Sequence, residues 1–503
     1  MDGRRPIKPR PPVRWFSYVG AYGLIAFILL LAHAPLLQLP FFWDEAGQYI
    51  PAALDLFKTG ALIPYSTVPN VHPPGVMAWL ALVWKIVGFS IPATRIAMTL
   101  IAALGVLFSF LLAIELCRGA NGTPAFVALG LLCISPLFYA QTTMALLDMP
   151  AMCATAAALL LFVQNRFRAS ALACVVLVLL KETGLVAPVV FGVWLLVENR
   201  RKDAAWFLLP ALLLGLWLVW LHHGTGQWLG SEDFARYNLG LALDPLRILA
   251  ALLRRIYYLF VGSGHFIGTG VLLYALRRMP LLRDRAWRVA ATFCAVHVAI
   301  VSLTGGAVLE RYLLPVLPIL YAAFGLSLQA LLPRPRRLAT VALASCLIVA
   351  NFVFPPWPFP FENNLAYVSF TELEMEVGAA VELYPGNIVT TFPLQGTFGN
   401  PELGFVEKAR ESSEIPDFHA ATIDKLLLVP PEVLVVYSTE YDPLRLRDYA
   451  PVRWLLTRLY SWEPSLSADQ VAELLGMRVA RSWNRRGLRK DLLVRSRPRP
   501  LLL

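Results

Sequence analysis

Long apolar segments alternate with short basic connections over the first 356 residues of the 503-residue chain. The first segment, Trp15–Leu37, is long enough to cross a bilayer as a helix that rises about 1.5 Å per residue. The pattern predicts a polytopic α-helical membrane protein with about eleven transmembrane helices. The further predicted spans are Ala93–Glu115, Thr123–Thr142, Met149–Gln164, Ala169–Leu180, Gly184–Val197, Ala204–His222, Ile256–Leu276, Trp287–Leu303, Arg311–Leu331 and Ala339–Val353.

The basic residues between these segments set the predicted orientation. Lys and Arg concentrate in the cytoplasmic loops of membrane proteins, and the N-terminal residues 1–14 and the connection 200–202 are strongly basic. If the short apolar segment Gly75–Phe89 also crossed the membrane, every later basic loop would lie outside. We therefore predict a cytoplasmic N-terminus and interpret this segment as a juxtamembrane or re-entrant helix in an external loop over residues 39–92.

The end of the first segment leaves one alternative open. The triplet Ala32-His33-Ala34 resembles a signal-peptidase site, so a cleaved signal peptide is the alternative to an uncleaved anchor. The length of the segment and its positive flank favour the anchor. We expect an integral protein of a membrane such as the bacterial inner or plasma membrane.

The pattern changes after the proline-rich stretch Pro355–Pro360, and residues 357–503 are typical of a soluble mixed α/β domain. The parity of the predicted spans places this domain on the extracytoplasmic face. Its predicted elements are an amphipathic helix over Thr371–Glu382, strands over Asn387–Phe392 and Glu432–Tyr437, and a helix over Ser467–Leu475 that starts with a capping-box pattern.

Composition agrees with this division of the chain. Apolar residues make up 57% and charged residues 15% of the chain, which excludes an ordinary soluble enzyme. Of the 33 acidic residues, 14 lie in residues 1–356 and 19 in residues 357–503, so basic cytoplasmic loops explain the net charge of +11 and no nucleic-acid partner is indicated. The six cysteines lie in or beside apolar segments and form no metal-binding spacing.

The same parity brings four polar segments and the C-terminal domain to one face. These segments are the loop Asp44–Gly75, the turn Leu146–Asp148, the tripeptide Lys181–Thr183 and the loop Thr304–Glu310. This convergence was not built into the assignment of the spans. We expect a functional site there.

Two acidic motifs could supply a catalytic carboxylate on that face. Asp44 and Glu45 follow the aromatic residues Phe41-Phe42-Trp43, where a carboxylate could take a proton from an acceptor hydroxyl or amine. The alternative is a solvated loop below an aromatic belt. Asp148 lies at the rim of the membrane, where an ionisable residue is a functional candidate, although it could also cap the helix that begins near Pro150.

Basic residues on the same face could bind a phosphoryl group. Lys181-Glu182 interrupts an otherwise continuous apolar run; the alternative is an ion pair that marks a hairpin tip. His72, held by two following prolines, could donate to a phosphate or belong to a simple turn. Arg311, next to Tyr312, could clamp a phosphate or extend to lipid head groups.

Together these motifs resemble the membrane-embedded glycosyltransferases of the GT-C fold, in the bacterial branch related to protein O-mannosyltransferases and to the lipid A aminoarabinose transferase. The resemblance covers about Trp15–Leu331 and rests on the order, spacing and shared face of five short motifs. These motifs are Asp44-Glu45, His72-Pro73-Pro74, Leu147-Asp148-Met149-Pro150, Lys181-Glu182-Thr183-Gly184 and Arg311-Tyr312-Leu313-Leu314-Pro315.

The resemblance implies an inverting transfer of a sugar from a polyprenyl-phosphate donor to an acceptor on the extracytoplasmic face. It implies that Asp44 positions or deprotonates the acceptor and that Asp148 shapes the same site. Lys181 falls where the aminoarabinose branch has a phosphate-binding lysine, and His72 falls near another basic position of that branch. The remaining expectations are that Arg311 and Tyr312 help to bind the donor phosphate and that Glu45 and Glu182 support the site.

The chain departs from the aminoarabinose branch at two places. Gly47-Gln48 stands where that branch has an Arg-Tyr pair, and His72 replaces a lysine. The acceptor therefore remains open between a lipid, a glycan and a protein. A divalent metal is compatible with the chemistry, but the ligand set that the sequence offers for one is thin, so no cofactor is predicted.

Two other functional classes remain as alternatives. A polytopic transporter or lipid flippase would carry ionisable groups near the middle of the membrane and broken helices along a path. A scaffold or sensor would use the membrane part only as an anchor, which does not require so many spans.

Overall fold

The structure is a computed structural model that describes residues 15–236, 244–304 and 307–495. The N-terminal residues 1–14, on which the predicted orientation partly rests, lie outside these ranges, as do residues 305 and 306 of the predicted external loop. The helices of the membrane part are α1 (Trp15–Ala32), α2 (Ile50–Thr59), α3 (Gly75–Val87), α4 (Ile91–Leu116), α5 (Thr123–Ile134), α6 (Pro136–Gln141), α7 (Asp148–Val163), α8 (Phe167–Leu180), α9 (Val186–Val197), α10 (Arg201–Ala204), α11 (Leu208–Thr225), α12 (Glu232–Ala235), α13 (Pro245–Phe260), α14 (His265–Leu276), α15 (Arg285–Leu303), α16 (Leu317–Ser327) and α17 (Pro333–Ala350).

Within the described ranges, five helical stretches are long and apolar enough to cross a membrane by themselves. They are Ile91–Leu116, Arg201–Thr225, Pro245–Leu276, Arg285–Leu303 and Glu310–Ala330. Shorter apolar helices, such as α5, α7 and α8, pack among them. The chain is an integral membrane protein, while the number of eleven spans stays a prediction.

Two predicted spans are each divided between two α-helices in the structure. The segment Thr123–Thr142 breaks at Ser135 because Pro136 provides no backbone N–H to continue the helix, and α6 starts there. The predicted span Ile256–Leu276 starts in the middle of α13. This helix begins earlier, at Pro245, because the side chain of the preceding Asp244 caps it by accepting hydrogen bonds from its first free backbone N–H groups. A glycine-rich turn, in which Ser263 has a φ of 54°, separates α13 from α14.

The C-terminal part is mixed α/β, as predicted. Its five-stranded sheet has the order β2-β1-β3-β5-β4, with β1 parallel to β2 and β3, and β5 antiparallel to β3 and β4. The elements are α18 (Ala366–Val381), β1 (Ile388–Thr390), α19 (Leu394–Gly399), β2 (Ser412–Glu414), α20 (Ala420–Leu426), β3 (Val433–Tyr437), α21 (Ala450–Tyr460), α22 (Ala468–Leu475), β4 (Met477–Arg485) and β5 (Leu488–Arg495).

Each predicted element of this part overlaps an observed element of the same type. Helix α18 covers most of Thr371–Glu382, β1 and β3 lie within the two predicted strands, and α22 begins with the Ser467–Gln470 capping box. The sequence interpretation did not include the closing hairpin β4–β5. The helix α18 packs on this hairpin.

One hydrophobic cluster joins the C-terminal part to the external loop. Phe41, Phe42 and Trp84 of the loop belong to the same buried cluster as Phe370 of α18 and Leu434 of β3. Burial of this apolar surface stabilises the contact between the C-terminal part and the membrane part. The site described below lies at this contact.

Candidate functional site

Four predicted residues lie at the ends of elements that meet below the C-terminal part. Asp44 follows Trp43, which has a left-handed φ of 45°, and precedes a π-helical turn over Glu45–Tyr49. Asp148 is the first residue of α7, and Lys181 follows the last residue of α8. Arg311 belongs to a 3-10 segment over Glu310–Val316 that leads into α16.

The guanidinium of Arg311 lies at the centre of this group. It donates a hydrogen bond from Nη2 to Asp44 Oδ2 and another, of 2.6 Å, from Nη1 to Glu362 Oε1. Its Nε lies 3.2 Å from Asp148 Oδ2, within ion-pair distance but without hydrogen-bond geometry. Arg311 is only 2% exposed. It therefore does not extend to lipid head groups, which was the alternative interpretation.

Lys181 binds the other oxygen of the same aspartate. Its ammonium lies 2.5 Å from Asp148 Oδ1 and 4.0 Å from the centre of the Tyr312 ring, which allows a cation–π contact. Asp148 is 3% exposed and makes ion pairs with both cations. Asp148 lies inside α7 as its first residue and not at the N-cap position, and its two carboxylate oxygens face Lys181 and Arg311, so these ion pairs explain its burial better than helix capping does.

The cluster as a whole carries more negative than positive groups. Two cations, Lys181 and Arg311, face three carboxylates, Asp44, Asp148 and Glu362. When all five are ionised the formal charge is −1. Burial raises the pKa of Glu362 to about 7, although the neighbouring Arg311 guanidinium opposes the rise.

His72 and Glu182 form a separate pair beside this cluster. The His72 Nδ1 lies 2.6 Å from Glu182 Oε2. Lys181 and Glu182 therefore point to different partners and do not form the ion pair that we considered for a hairpin tip. His72 is connected to the cluster through Glu182, the residue next to Lys181.

The external loop packs closely on α8 just before Lys181. Gly75, which ends the His72-Pro73-Pro74 motif, begins α3, and a Cβ at this position would overlap the backbone carbonyl of Leu179. A side chain here would therefore push apart α3 and the end of α8. The glycine fixes the approach that places Lys181 in the site.

Glu45 has a role different from that of Asp44. Its carboxylate accepts a hydrogen bond of 2.5 Å from Arg95 Nη1 and further ones from the backbone N–H groups of Ala145 and Phe42. Arg95 also donates to the carbonyl oxygen atoms of Pro40 and other residues nearby. This buried ion pair joins the loop around Asp44 to α4 and to the turn before Asp148.

A second charged contact lies next to Arg311. Arg254 of α13 donates from Nε and Nη2 to the two oxygens of Glu310, at 2.5 and 3.0 Å. Asn363 donates to Glu310 as well, at 2.7 Å. Consecutive residues of the 3-10 segment, Glu310 and Arg311, are thus bound by consecutive residues of the C-terminal part, Asn363 and Glu362.

The sequence interpretation did not identify Glu362, Arg95 and Tyr49. Arg95 carried a usable signal, since a charged residue inside an apolar span is a functional candidate. Glu362 lies in the C-terminal part, far in sequence from its partner Arg311, and no local sequence pattern indicates its role.

Tyr49 lies in the turn that follows Asp44. Burial raises the pKa of Tyr49 well above its usual value, and the negative charge of the nearby Asp44 raises it further.

The described residues contain no group of three or more His, Cys, Asp or Glu side chains arranged to hold a metal ion. The three carboxylates of the cluster surround the Arg311 guanidinium. The chemistry considered below uses only the side chains of this chain.

Comparisons with known proteins show the fold. No protein-family model and no curated protein sequence matches the chain. Among solved structures, ArnT from Cupriavidus metallidurans bound to undecaprenyl phosphate is similar with a TM-score of 0.59 and 14% identity, over 96% of this chain and 99% of that one. Its apo form is similar with a TM-score of 0.55 and 14% identity, over 95% and 97% of the two chains.

An oligosaccharyltransferase from Archaeoglobus fulgidus matches more distantly, with a TM-score of 0.46 and 12% identity over 84% of this chain and 70% of that one. The match to ArnT covers nearly the whole length of both chains, including the C-terminal part described here. The fold predicted from the motifs is therefore confirmed: the chain has the GT-C fold of the lipid A aminoarabinose transferase.

Proposed function

We propose that this protein is an inverting glycosyltransferase that moves a sugar from a polyprenyl-phosphate donor to an acceptor on the extracytoplasmic face. The observation that carries the proposal is the pair of buried cations, Lys181 and Arg311, which share the carboxylate of Asp148 and lie beside Asp44. A site of this kind can bind a phosphate and hold a carboxylate next to the sugar that the phosphate carries.

The two cations suit the leaving group. When the bond between the anomeric carbon and the phosphate oxygen breaks, the electron pair stays on the phosphate, which gains negative charge. Lys181 offers a compact ammonium and Arg311 a planar guanidinium, and both stabilise that charge where it develops. An acid that protonates the leaving oxygen is therefore not required.

Asp44 suits the role of general base. Its carboxylate is held by Arg311 and is 18% exposed at the side chain, more than the other two carboxylates of the cluster. As the acceptor oxygen or nitrogen forms its bond to the anomeric carbon, Asp44 takes the proton that the acceptor loses. Attack opposite to the leaving phosphate inverts the configuration of that carbon.

Asp148 and Tyr312 position the cations in this scheme. Asp148 bridges Lys181 and Arg311 through its two carboxylate oxygens, and we propose that this bridge holds the two positive groups close enough for one phosphate to contact both. The ring of Tyr312 lies against the Lys181 ammonium and within 5.8 Å of the Arg311 guanidinium carbon. His72, through Glu182, supports the position of the loop that carries Lys181.

The fold supports the same donor class. ArnT, whose fold this chain shares, was solved with undecaprenyl phosphate bound. We propose the same carrier class here, with a lipid, glycan or protein as acceptor and with the C-terminal part on the extracytoplasmic face. The charged residues of the cluster, Asp44, Asp148, Lys181, Arg311 and Glu362, lie at helix ends, in loops and in short turns, which argues against the transporter or flippase interpretation.

The proposal is tested with the purified protein in lipid nanodiscs and a panel of polyprenyl-phosphate sugars. We expect one donor to be consumed, with release of polyprenyl phosphate, and we expect Asp44→Asn to abolish this release. Asp469→Asn is the matched control, because the Asp469 side chain is 73% exposed and distant in the chain from the site. Folded wild-type protein that consumes no donor, with a crude acceptor extract present, would leave transport as the better interpretation.

A further inference from the structure

Glu362 brings a carboxylate from the C-terminal part to the proposed donor site. It belongs to a 3-10 turn over Phe361–Asn363, directly after the proline-rich stretch. The Glu362 side chain is 5% exposed and its Oε1 lies 2.6 Å from Arg311 Nη1. No role in the scheme above uses this carboxylate.

The backbone around Glu362 is fixed more firmly than its side chain. Gln141 donates to the Glu362 carbonyl oxygen, and the neighbouring Asn363 donates to Glu310. Phe361 lies in the shared hydrophobic cluster. In the part of the chain that the structure describes, Arg311 is the only hydrogen-bond partner of the Glu362 carboxylate. The carboxylate can therefore lose its charge or turn away without disturbing the turn that carries it.

The other two carboxylates are less free to release Arg311. Asp148 is bound by Lys181 at the same time, so its displacement would break two ion pairs. Asp44 must stay beside the reacting sugar to act as the base. Of the three anions on the guanidinium, Glu362 is the one whose release leaves the proposed machinery intact.

Charge makes such a release necessary. With all five groups ionised the cluster already carries a formal charge of −1, and a phosphodiester adds another negative charge. A buried site stabilises an added anion poorly unless an existing one is neutralised or removed. The Glu362 carboxylate accepts one N–H of Arg311 Nη1, and a phosphate oxygen that binds this N–H has to displace it.

On this basis we propose that Glu362 is the counter-ion that competes with the donor phosphate for Arg311 and gives up this contact when the donor binds. This inference rests on the proposed function, since it assumes a phosphate ligand at Lys181 and Arg311. The C-terminal part thereby controls how strongly the membrane part holds its donor.

The inference predicts a dependence on pH. The charged groups that face Glu362 are Arg311, Asp44, Asp148 and Glu310, and of these only Arg311 favours its ionised form. Burial raises the pKa of Glu362 to about 7, so the group is neutral below that pH and competes as an anion above it. Phosphate binding should therefore weaken as the pH rises above 7.

The test compares the affinity of wild-type protein and Glu362→Gln in nanodiscs for undecaprenyl phosphate and for its methyl phosphodiester. The diester keeps one negative charge across the pH range, so its own titration does not contribute. From pH 7 to pH 8.5 the wild-type affinity for the diester should fall about 16-fold, as expected when binding requires the neutral form of one group with a pKa of about 7. The Glu362→Gln variant should bind the diester more tightly than the wild type at pH 8.5. Its affinity should not show the decrease between pH 7 and pH 8.5 that the ionisation of Glu362 causes in the wild type.

Two controls keep the result interpretable. Glu372→Gln makes the same chemical change at a side chain that is 44% exposed in the same domain, and should behave as the wild type. Histidines near Lys181, such as His72, are present in every variant, so their titration cancels in the comparison. If Glu362→Gln does not fold, Glu362→Met tests the same loss of charge with a side chain of matching length.

The outcomes separate the two proposals. Weaker or unchanged binding by folded Glu362→Gln at pH 8.5, beside measurable binding by the wild type, would overturn the role of Glu362 and leave the proposed function standing. Absence of binding by the wild type and all variants at every pH would overturn the proposed function itself.

Discussion

Replacement of Arg311 by lysine tests whether the shape of the guanidinium matters beyond its charge. Arg311 holds Asp44 and Glu362 by separate hydrogen bonds and approaches Asp148 with its third nitrogen. Lysine keeps the charge, but its single ammonium on a flexible stem cannot reproduce a planar fork with three separate partners. We expect it to keep one of the two hydrogen bonds and to lose the other.

The magnitude follows from the lost hydrogen bond. A hydrogen bond to a charged group contributes about 1.5–3 kcal/mol. If the lost bond is the one that positions Asp44 in the transition state, kcat/KM should fall by about 10- to 150-fold, since each 1.4 kcal/mol corresponds to about a factor of ten. Both steady-state turnover of the polyprenyl-phosphate sugar and thermal stability should be measured on the purified variant.

Arg254→Lys is the matched control for this substitution. The Arg254 side chain is buried like that of Arg311 and binds carboxylate oxygens through two of its nitrogens. Both oxygens belong to Glu310, the residue before Arg311 in the 3-10 segment. This variant should lose a similar amount of stability while its kcat/KM changes much less. A folded Arg311→Lys protein whose kcat/KM and donor affinity both stay within about threefold of the wild type would contradict this prediction, because loss of the bond to Asp44 lowers the first and loss of the bond to Glu362 raises the second.

Three further predictions concern the support of the site and the C-terminal part. Arg95→Met should lower the free energy of unfolding by about 3–5 kcal/mol, since it leaves Glu45 buried without its cation. A thermal melt in detergent measures this loss, and an unchanged melting temperature would contradict the structural role of the Arg95–Glu45 pair. Gly75→Ala should cost about 1–3 kcal/mol of stability through the overlap with Leu179 and should also lower kcat by displacing Lys181; normal turnover in this variant would show that the close approach is not needed. Lys490→Met should destabilise the C-terminal part by leaving Glu374 buried without its cation. The double variant Lys490→Met/Glu374→Gln should recover most of this loss. If the changes in melting temperature of the single variants Lys490→Met and Glu374→Gln simply add up in the double variant, the ion pair does not stabilise the protein.

The sequence was sufficient to predict the fold class and the meeting of four charged residues. The positive-inside rule predicts that Asp44, Asp148, Lys181 and Arg311 share one face, and in the structure they lie in one cluster. Such a prediction works because each residue lies at or near the boundary of an apolar segment, and hydrophobicity determines where these boundaries fall. Their catalytic and binding roles remain predictions.

Which charged side chains of the cluster pair with each other could not be predicted from the sequence. Lys181 pairs with Asp148 and not with its neighbour Glu182, because the end of α8 turns the two side chains in different directions. Glu362 reaches Arg311 only because the hydrophobic cluster holds the C-terminal part against the external loop. Contacts of this kind depend on tertiary packing, and no local pattern in the sequence predicts them.

The proposed role of Asp44 as the base of a sugar transfer from a polyprenyl phosphate can be tested directly. The most direct measurement is the acceptor-dependent release of polyprenyl phosphate by wild-type protein, Asp44→Asn and Asp469→Asn in the same nanodiscs, with the anomeric configuration of the product determined. The account predicts release with inversion by the wild type and by Asp469→Asn, and a loss of at least about 100-fold for Asp44→Asn, as is common when a general base is removed. Release at the wild-type rate by folded Asp44→Asn, or a product with retained configuration, would contradict it.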